Sequence, residues 1–306
     1  MPTSNRYNAA VRAIYIFVLV ACMLMAACGT TPSPSAPQRP PAPELGKFDA
    51  ASVKDIQLAN YPVVPAISAT AKTIYQASLK AGRNARAFST LGDCMTENPY
   101  FLGPFGAGQF DLGSYTSLKP VVYQFDAESF SRKGNAAASG FNVAGPLDST
   151  WSDPQVCKGG ESPLTCEYRV HQPSVALIMF GTNDVGYTEP DAYNYYLRTL
   201  VNQTLDANVL PVLSTFPTRP EHLEKSLLLN QIAIKVATDY DIPLINLNRA
   251  LEPLPHHGVD PNDTIHLSVP ADKRVDVLSA DNLQYGFTVR NLVTLQALEA
   301  VLNAAR

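Results

Sequence analysis

Four short polar runs stand out along the chain: Gly92-Asp93-Cys94-Met95-Thr96, Gly134-Asn135 through Ser139-Gly140, Gly181-Thr182-Asn183-Asp184, and Asp263-Thr264-Ile265-His266. They carry a thiol, an imidazole and several short carboxylates. Nucleophilic catalysis uses these types: a group that attacks, a ring that moves the proton and a carboxylate that orients the ring. Metal chemistry has less support. His256 and His257 are adjacent, so they seldom point at one ion, and no Cys or acidic cluster accompanies them at zinc spacing. They are expected in an exposed loop. No phosphate-binding G-x-x-x-x-G-K-[ST] loop and no dinucleotide fingerprint is present, so nucleotide chemistry is not expected.

These residues do chemistry only where a fold holds them together. Val175 to Phe180 is an unbroken apolar run between Pro173 and Gly181, as expected of a strand buried on both faces of a parallel sheet. Arg86–Leu91, Val209–Thr215 and Leu244–Leu247 read as further strands. Helices are expected over Ala66–Ala81, Tyr115–Phe125, Asp191–Ala207, Glu221–Tyr240 and Tyr285–Ala304, with Pro190 suited to a first turn. The last reads as amphipathic, with Val289, Leu292, Leu295 and Leu302 near one face. Strands alternating with helices place the chain in the α/β class, as a three-layer α/β/α sandwich around a mainly parallel sheet. Sites in such sheets form at the carboxyl ends of the strands. No internal repeat and no second linker appears, so residues 65–306 read as one domain.

In this order the four runs resemble the blocks of the SGNH (GDSL-type) hydrolase family. Its Gly-Asp-Ser block is Gly92-Asp93-Cys94 here, and its second block is matched by Asn135 and Gly140. Its Gly-x-Asn-Asp block is matched from Gly181 to Asp184, and its Asp-x-x-His block by Asp263 and His266. The resemblance runs from about Phe88 to the C-terminus and implies a flavodoxin-like sheet. It implies an esterase or acyltransferase acting on acyl esters of lipids or sugars, often acetyl esters, with no metal or cofactor. Cys94 would be the nucleophile, His266 the base and Asp263 the orienting carboxylate. The backbone N–H groups of Cys94 and Gly140 and the Asn183 side chain would form the oxyanion hole; such donors are each worth about 2.7–4 kcal/mol where measured in other enzymes. Asp93 and Asp184 read as loop-fixing carboxylates, and Thr96 as a cap.

The departure from the family is Cys94 where the family has Ser. A thiolate is favoured beside a His or a helix N-terminus, so Cys94 and His266 could form an ion pair and transfer acyl groups through a thioester. Sulfur is also larger than oxygen and would displace a carbonyl from a hole shaped for Ser. The alternative is a catalytically inactive binding lipoprotein that keeps the cleft and has lost turnover.

The N-terminus reads as an export signal. Arg6 and Arg12 precede an apolar run from Ala13 to Ala27, and no acid occurs before Glu44. The run is shorter than the ~20 residues a membrane span needs. It ends in Leu24-Met25-Ala26-Ala27-Cys28-Gly29, which resembles a bacterial lipobox with Cys28 as the lipidated residue; Leu19-Val20-Ala21-Cys22 fits locally too. Cys28 is preferred because cleavage at Cys22 leaves a very short apolar region. Residues 1–27 are then a signal peptide and residues 28–64 a Pro-rich tether and linker. The domain is expected outside the cytoplasm, in the cell envelope and lipid-anchored to a membrane, where an acylated glycan is a plausible partner by location.

With 23 Lys and Arg against 27 Asp and Glu the net charge is −4, so a nucleic-acid partner is not expected. Losing Arg6 and Arg12 with the signal takes it to −6, so the lipid and not a basic surface would anchor the domain. Cys157 and Cys166 flank a turn-rich stretch and are expected to pair, since exported proteins oxidise such neighbours. The loop they close either braces a cleft rim, with Trp151, Tyr168 and Arg169, or is a stapled surface loop. The segment Pro99–Gly106 either lines an acyl or sugar pocket or packs on the sheet.

Overall fold

The apolar run around Val175 is the centre of the sheet. A computed structural model describes residues 39–305. The signal, Cys22, Cys28 and the first part of the tether lie outside the described residues. Strands β1 (Asn84–Gly92), β2 (Pro173–Met179), β3 (Leu210–Ser214) and β4 (Leu244–Ile245) form one parallel sheet in that order. Phe88 pairs with Val175, Val175 with Leu210, and Leu213 with Leu244. Every residue of β2 is buried, which is why its sequence shows no alternation.

Outside β1 the chain adds one more parallel bridge. Gly92 N–H donates to Ala136 O and Ala138 N–H donates to Gly92 O, each at 3.2 Å. The chain therefore leaves β1 outward and then crosses back to β2 on its other side. This reversal of strand order opens a crevice at the carboxyl end of β1, where Cys94 sits.

Helices α1 (Ala69–Lys80) and α7 (Gly286–Ala305) pack together on one face of the sheet; α5 (Pro190–Asp206) and α6 (Leu223–Tyr240) pack together against β3 on the other. Three shorter helices stand beside strand ends: α2 (Cys94–Glu97), α3 (Pro163–His171) and α4 (Asp184–Tyr187). The local starts are readable. Ser68 Oγ accepts the Ala71 N–H to cap α1. Ser162 and Thr165 form a capping box on α3, with Pro163 in its first turn.

Tertiary packing shifts three expectations. Strand β4 stops at Ile245, because the Asn246 side chain accepts the Arg249 N–H and starts a short helix over Leu247–Leu251. The expected Tyr115–Phe125 helix is divided into a tight turn at Thr116–Leu118 and a helical turn at Lys119–Gln124. Helix α7 is not an amphipathic surface helix. Thr288, Arg290 and Asn291 are buried along with Val289 and Leu295, because its first half also packs under residues 95–102.

Packed chain begins upstream of residue 65, and from Pro40 onward the chain is one compact unit. Gly46 and Phe48 N–H groups donate to Asp191, Gln231 donates to Ile56 O, and Asn246 donates to Leu58 O and Tyr61 O. The second half of the linker is therefore a strap on α5, α6 and the Asn246 turn.

Cys157 and Cys166 are disulfide-bonded. Arg169 ties the same loop, pairing with Glu161 at 2.6 Å and donating to Val156 O at 3.0 Å. Tyr168 is not part of a rim: it is buried, with its hydroxyl 2.9 Å from Thr204 Oγ1. Trp151 is exposed and stands edge-on to Phe141. Replacing Cys157 and Cys166 together by Ser is expected to lower the unfolding free energy by about 2–3 kcal/mol, measured by urea denaturation under oxidising conditions.

Candidate active site

The geometry begins at the last residue of β1. A Cβ on Gly92 would lie 2.2 Å from Thr96 Oγ1 and 2.6 Å from Met179 O, so only glycine lets the chain turn there. Asp93 follows as the N-cap of α2, its Oδ1 accepting the Met95 N–H at 3.0 Å. Cys94 is then the first residue of α2, half-buried at the crevice.

Helix α7 holds this turn from below. Arg290 is buried, donating to Met95 O at 2.5 Å and to Thr96 Oγ1 at 2.9 Å, with its guanidinium 3.6 Å from the Phe101 ring centroid. Burial lowers its pKa to about 9, while Asp93 and Cys94 favour its charge. Asn291 accepts the Leu102 N–H at 2.9 Å and donates to Tyr100 O at 2.9 Å, fixing Leu102 in a left-handed backbone conformation of φ 61°. The only sequence sign of this role is a charge and an amide inside an apolar helical stretch.

The catalytic candidates come from distant segments. Asp263 and His266 lie on β6 (Asp263–Leu267), which pairs antiparallel with β5 (Val259–Asp260). His266 Nδ1 lies 2.7 Å from Asp263 Oδ2. Assigning the proton to Nδ1 leaves Nε2 free to act as a base. The ring lines the same cleft as Cys94, a cavity of about 620 Å³ that also meets Thr90, Pro99, Phe101, Phe130, Arg132 and Ser139. Pro99 and Phe101 give the aromatic segment a lining role, whereas Leu102 and Phe105 pack in the core.

The thiol is not an ion-pair partner. Among the described residues no hydrogen bond joins Cys94 and His266. Burial pushes the Cys94 thiol up to about 11, and Asp93 and Asp263 add to the rise; the N–H groups of Met95 and Cys94 offset it only in part. The expected thiolate–imidazolium pair is therefore absent: the sulfur faces carboxylates with too little positive charge beside it.

The oxyanion-hole candidates are arranged around Phe141. Asn183 Nδ2 donates to Phe141 O at 2.8 Å, which uses one of its two amide hydrogens. Gly140 precedes Phe141 with φ 86°, and among the described residues no hydrogen bond engages its N–H. The cleft lining reaches Ser139 but includes neither Gly140 nor Asn183. Gly181 has φ 138° and a Cβ there would meet Phe216 at 2.1 Å, so β2 can turn into Thr182-Asn183 only with glycine.

Asp93 and Asp184 are loop-fixing carboxylates in this geometry. Asp184 accepts the Val143 N–H at 3.1 Å, tying the two loops together. Both are buried, and burial raises each to about 6. Asn135 points away from the cleft: its N–H and side chain donate to buried Glu167, which also accepts from Ser89 and pairs with Arg132. Glu97 accepts the Ser139 N–H at 2.5 Å and pairs with Lys133 at 2.9 Å. Against the cost of burial, these two partners hold its carboxyl below the usual range. Glu97 and Glu167 belong to no sequence motif and escaped the sequence reading. His256 and His257 sit in an exposed turn with left-handed backbone, and His257 Nδ1 lies 3.0 Å from Glu252 O.

Residues 123–273 match the model of the GDSL-like lipase/acylhydrolase family. No curated protein sequence matches the chain. Solved structures with a similar fold include a lipase/acylhydrolase from Enterococcus faecalis, 16% identical, covering 69% of this chain and 93% of that one at TM-score 0.45. An esterase from Pseudoalteromonas sp. is 14% identical over 71% of this chain and 99% of its own at TM-score 0.45. An acetylxylan esterase from Geobacillus stearothermophilus is 18% identical over 71% of this chain and 95% of its own at TM-score 0.44.

Two outcomes follow from the buried charges. A carboxyl whose folded pKa is raised stabilises the fold below its unfolded pKa and loses that contribution as pH rises through about 6. Asp184→Asn keeps the acceptor for Val143, so its unfolding free energy should fall less than wild type's between pH 4 and pH 7, as urea titrations would read. Arg290→Met leaves Met95 O, Thr96 and Asp93 without their buried cation and is expected to cost about 3 kcal/mol or more in the same assay.

Proposed function

We propose, for a chain whose residues 123–273 match the model of the GDSL-like lipase/acylhydrolase family, an extracytoplasmic esterase or acyltransferase tethered to a membrane through Cys28. Its substrates are acyl esters, with acetyl esters of a cell-envelope glycan as the leading class. The observation that carries the reading is that Cys94 and His266, whose Nδ1 is held by Asp263, line one cleft.

Because the thiol is pushed up to about 11, it is protonated at neutral pH. Attack then follows the course of a hydroxyl nucleophile. Cys94 Sγ bonds to the ester carbonyl carbon as His266 Nε2 takes the thiol proton. The Cys94 N–H stabilises the oxyanion from within the cleft, and the Gly140 N–H and the second Asn183 amide hydrogen, which stand outside its lining, serve only if substrate binding draws that loop in. The carbon–oxygen bond breaks, His266 returns the proton to the leaving alcohol, and a thioester remains on Cys94. Water or a second hydroxyl, deprotonated by His266, attacks the thioester carbon; the carbon–sulfur bond breaks, the acid or new ester leaves, and His266 returns the proton to Cys94 Sγ. Asp263 keeps the imidazole in the tautomer these steps need.

The raised thiol and the missing Cys94–His266 hydrogen bond favour a second reading, a binding lipoprotein with a retired nucleophile. Turnover of acetyl esters and acetyl thioesters by wild type, Cys94→Ser and Cys94→Ala separates the two. Activity in wild type that Cys94→Ala lacks makes the thiol the nucleophile. A silent wild type with an active Cys94→Ser means that only the nucleophile was lost. Silence in all three favours the binding role.

A further inference from the structure

We propose that Leu45, Tyr187, Leu223 and Leu227 form a membrane-docking surface that turns the cleft end of the domain toward the bilayer. The inference rests on the tethered reading above and deepens it, because it makes the substrate an ester presented at the membrane surface.

The four side chains are large, apolar and exposed: Tyr187 by 89%, Leu223 by 60%, Leu45 by 57% and Leu227 by 49%. They stand on adjacent elements at one end of the fold. Tyr187 closes α4, the turn leaving the carboxyl end of β2. Leu223 opens α6, the first long helix after the carboxyl end of β3, and Leu227 lies one turn on along the same face. Helix α4 packs against α6. Leu45 precedes Gly46, whose N–H donates to Asp191 in the first turn of α5 at 2.6 Å. The cleft of Cys94 and His266 opens at this same end of the sheet. Exposed apolar side chains gathered at one site mark an interaction surface more often than chance placement does.

The occupant follows from the chain itself. Asp191 fixes residues 46–48 beside the patch. From Cys28 to Gly46 the chain spans at most about 65 Å when fully extended. A bilayer holding Cys28 is therefore always within that distance, and weak partitioning of a few apolar groups is amplified by the linkage. Beside the four side chains Lys47, Arg219 and Lys225 stand against Glu44, Glu189, Asp191, Glu221 and Glu224, so the surface has no basic excess to attract anionic headgroups and the contact is apolar. Tyr187 suits the headgroup level, where its ring and hydroxyl each meet a fitting environment.

Trp151 is the single tryptophan, which makes a clean optical test possible. The full chain is reconstituted in vesicles of phosphatidylcholine brominated on its acyl chains. In a Trp151→Phe background, Tyr187→Trp reports the patch. Leu79→Trp, on an exposed residue near the end of α1 that leads into the start of β1, reports the opposite end. Both chains should float with the vesicles. Tyr187→Trp emission should shift to the blue and lose most of its intensity, whereas Leu79→Trp keeps its own. Adding Leu223→Asp and Leu227→Asp should restore the Tyr187→Trp emission without releasing the chain. Flotation with equal quenching at both positions, or with none, overturns the docking surface and leaves the tether standing. Failure to float overturns both. A Tyr187→Trp shift that appears without vesicles and follows protein concentration assigns the patch to a second copy and overturns the proposal. Ester turnover enters none of these readings, so the enzymatic proposal stands or falls separately.

Discussion

The contact on which the site depends is the close approach of Gly92 to Met179 and Thr96. It brings the carboxyl ends of β1 and β2 together with no side chain between them and forces the chain into α2 at once. Cys94 is thereby placed at the crevice made by the reversal of strand order. At this short helix Asp93 accepts the Met95 N–H and Arg290 donates to the Met95 carbonyl. The support of Cys94 is thus a buried carboxylate and a buried guanidinium drawn from positions nearly two hundred residues apart. Such a pairing adds little net stability, but losing one member leaves the other charged in a poorly solvating interior.

The second segment of the site is positioned by clamps of the same kind. Residues 134–141 form a single bridge to β1, too little to fix their conformation. Glu167 holds Asn135, Glu97 holds Ser139, Asp184 holds Val143 and Asn183 holds the Phe141 carbonyl. Each clamp joins a loop group to a side chain on a helix or strand end, so the loop takes its rigidity from the scaffold. Asn183 serves both as clamp and as oxyanion candidate, because its amide carries two hydrogens.

Around the sulfur, electrostatics oppose the ion-pair chemistry of Cys–His enzymes. A buried setting and two carboxylates raise the thiol, and the buried cation Arg290 is directed at Met95 and Thr96. A protonated thiol at such a site relies on the imidazole to take its proton during attack. In the proposed reaction that base would be His266, whose Nδ1 is held by Asp263.

The amino-acid sequence by itself determined the α/β class, the strand at Val175, the long helices on either side and the order of the polar runs, because hydrophobic period and turn chemistry are local properties. It also marked Cys94, Asp263, His266, Asn183 and Gly140, through a resemblance carried by short motifs. The Cys157–Cys166 pairing was legible from the short, turn-rich spacing of the two cysteines. Only the tertiary structure decided that α7 is enclosed and not amphipathic, since burial on a second side comes from residues 95–102 and leaves no periodic trace. It decided the parts taken by Arg290, Glu97 and Glu167, whose partners are remote in sequence and whose types are ordinary surface types elsewhere. It decided the state of the thiol as well, because a pKa is set by the dielectric and the charges that surround a group in space, and no run of neighbouring residues records them.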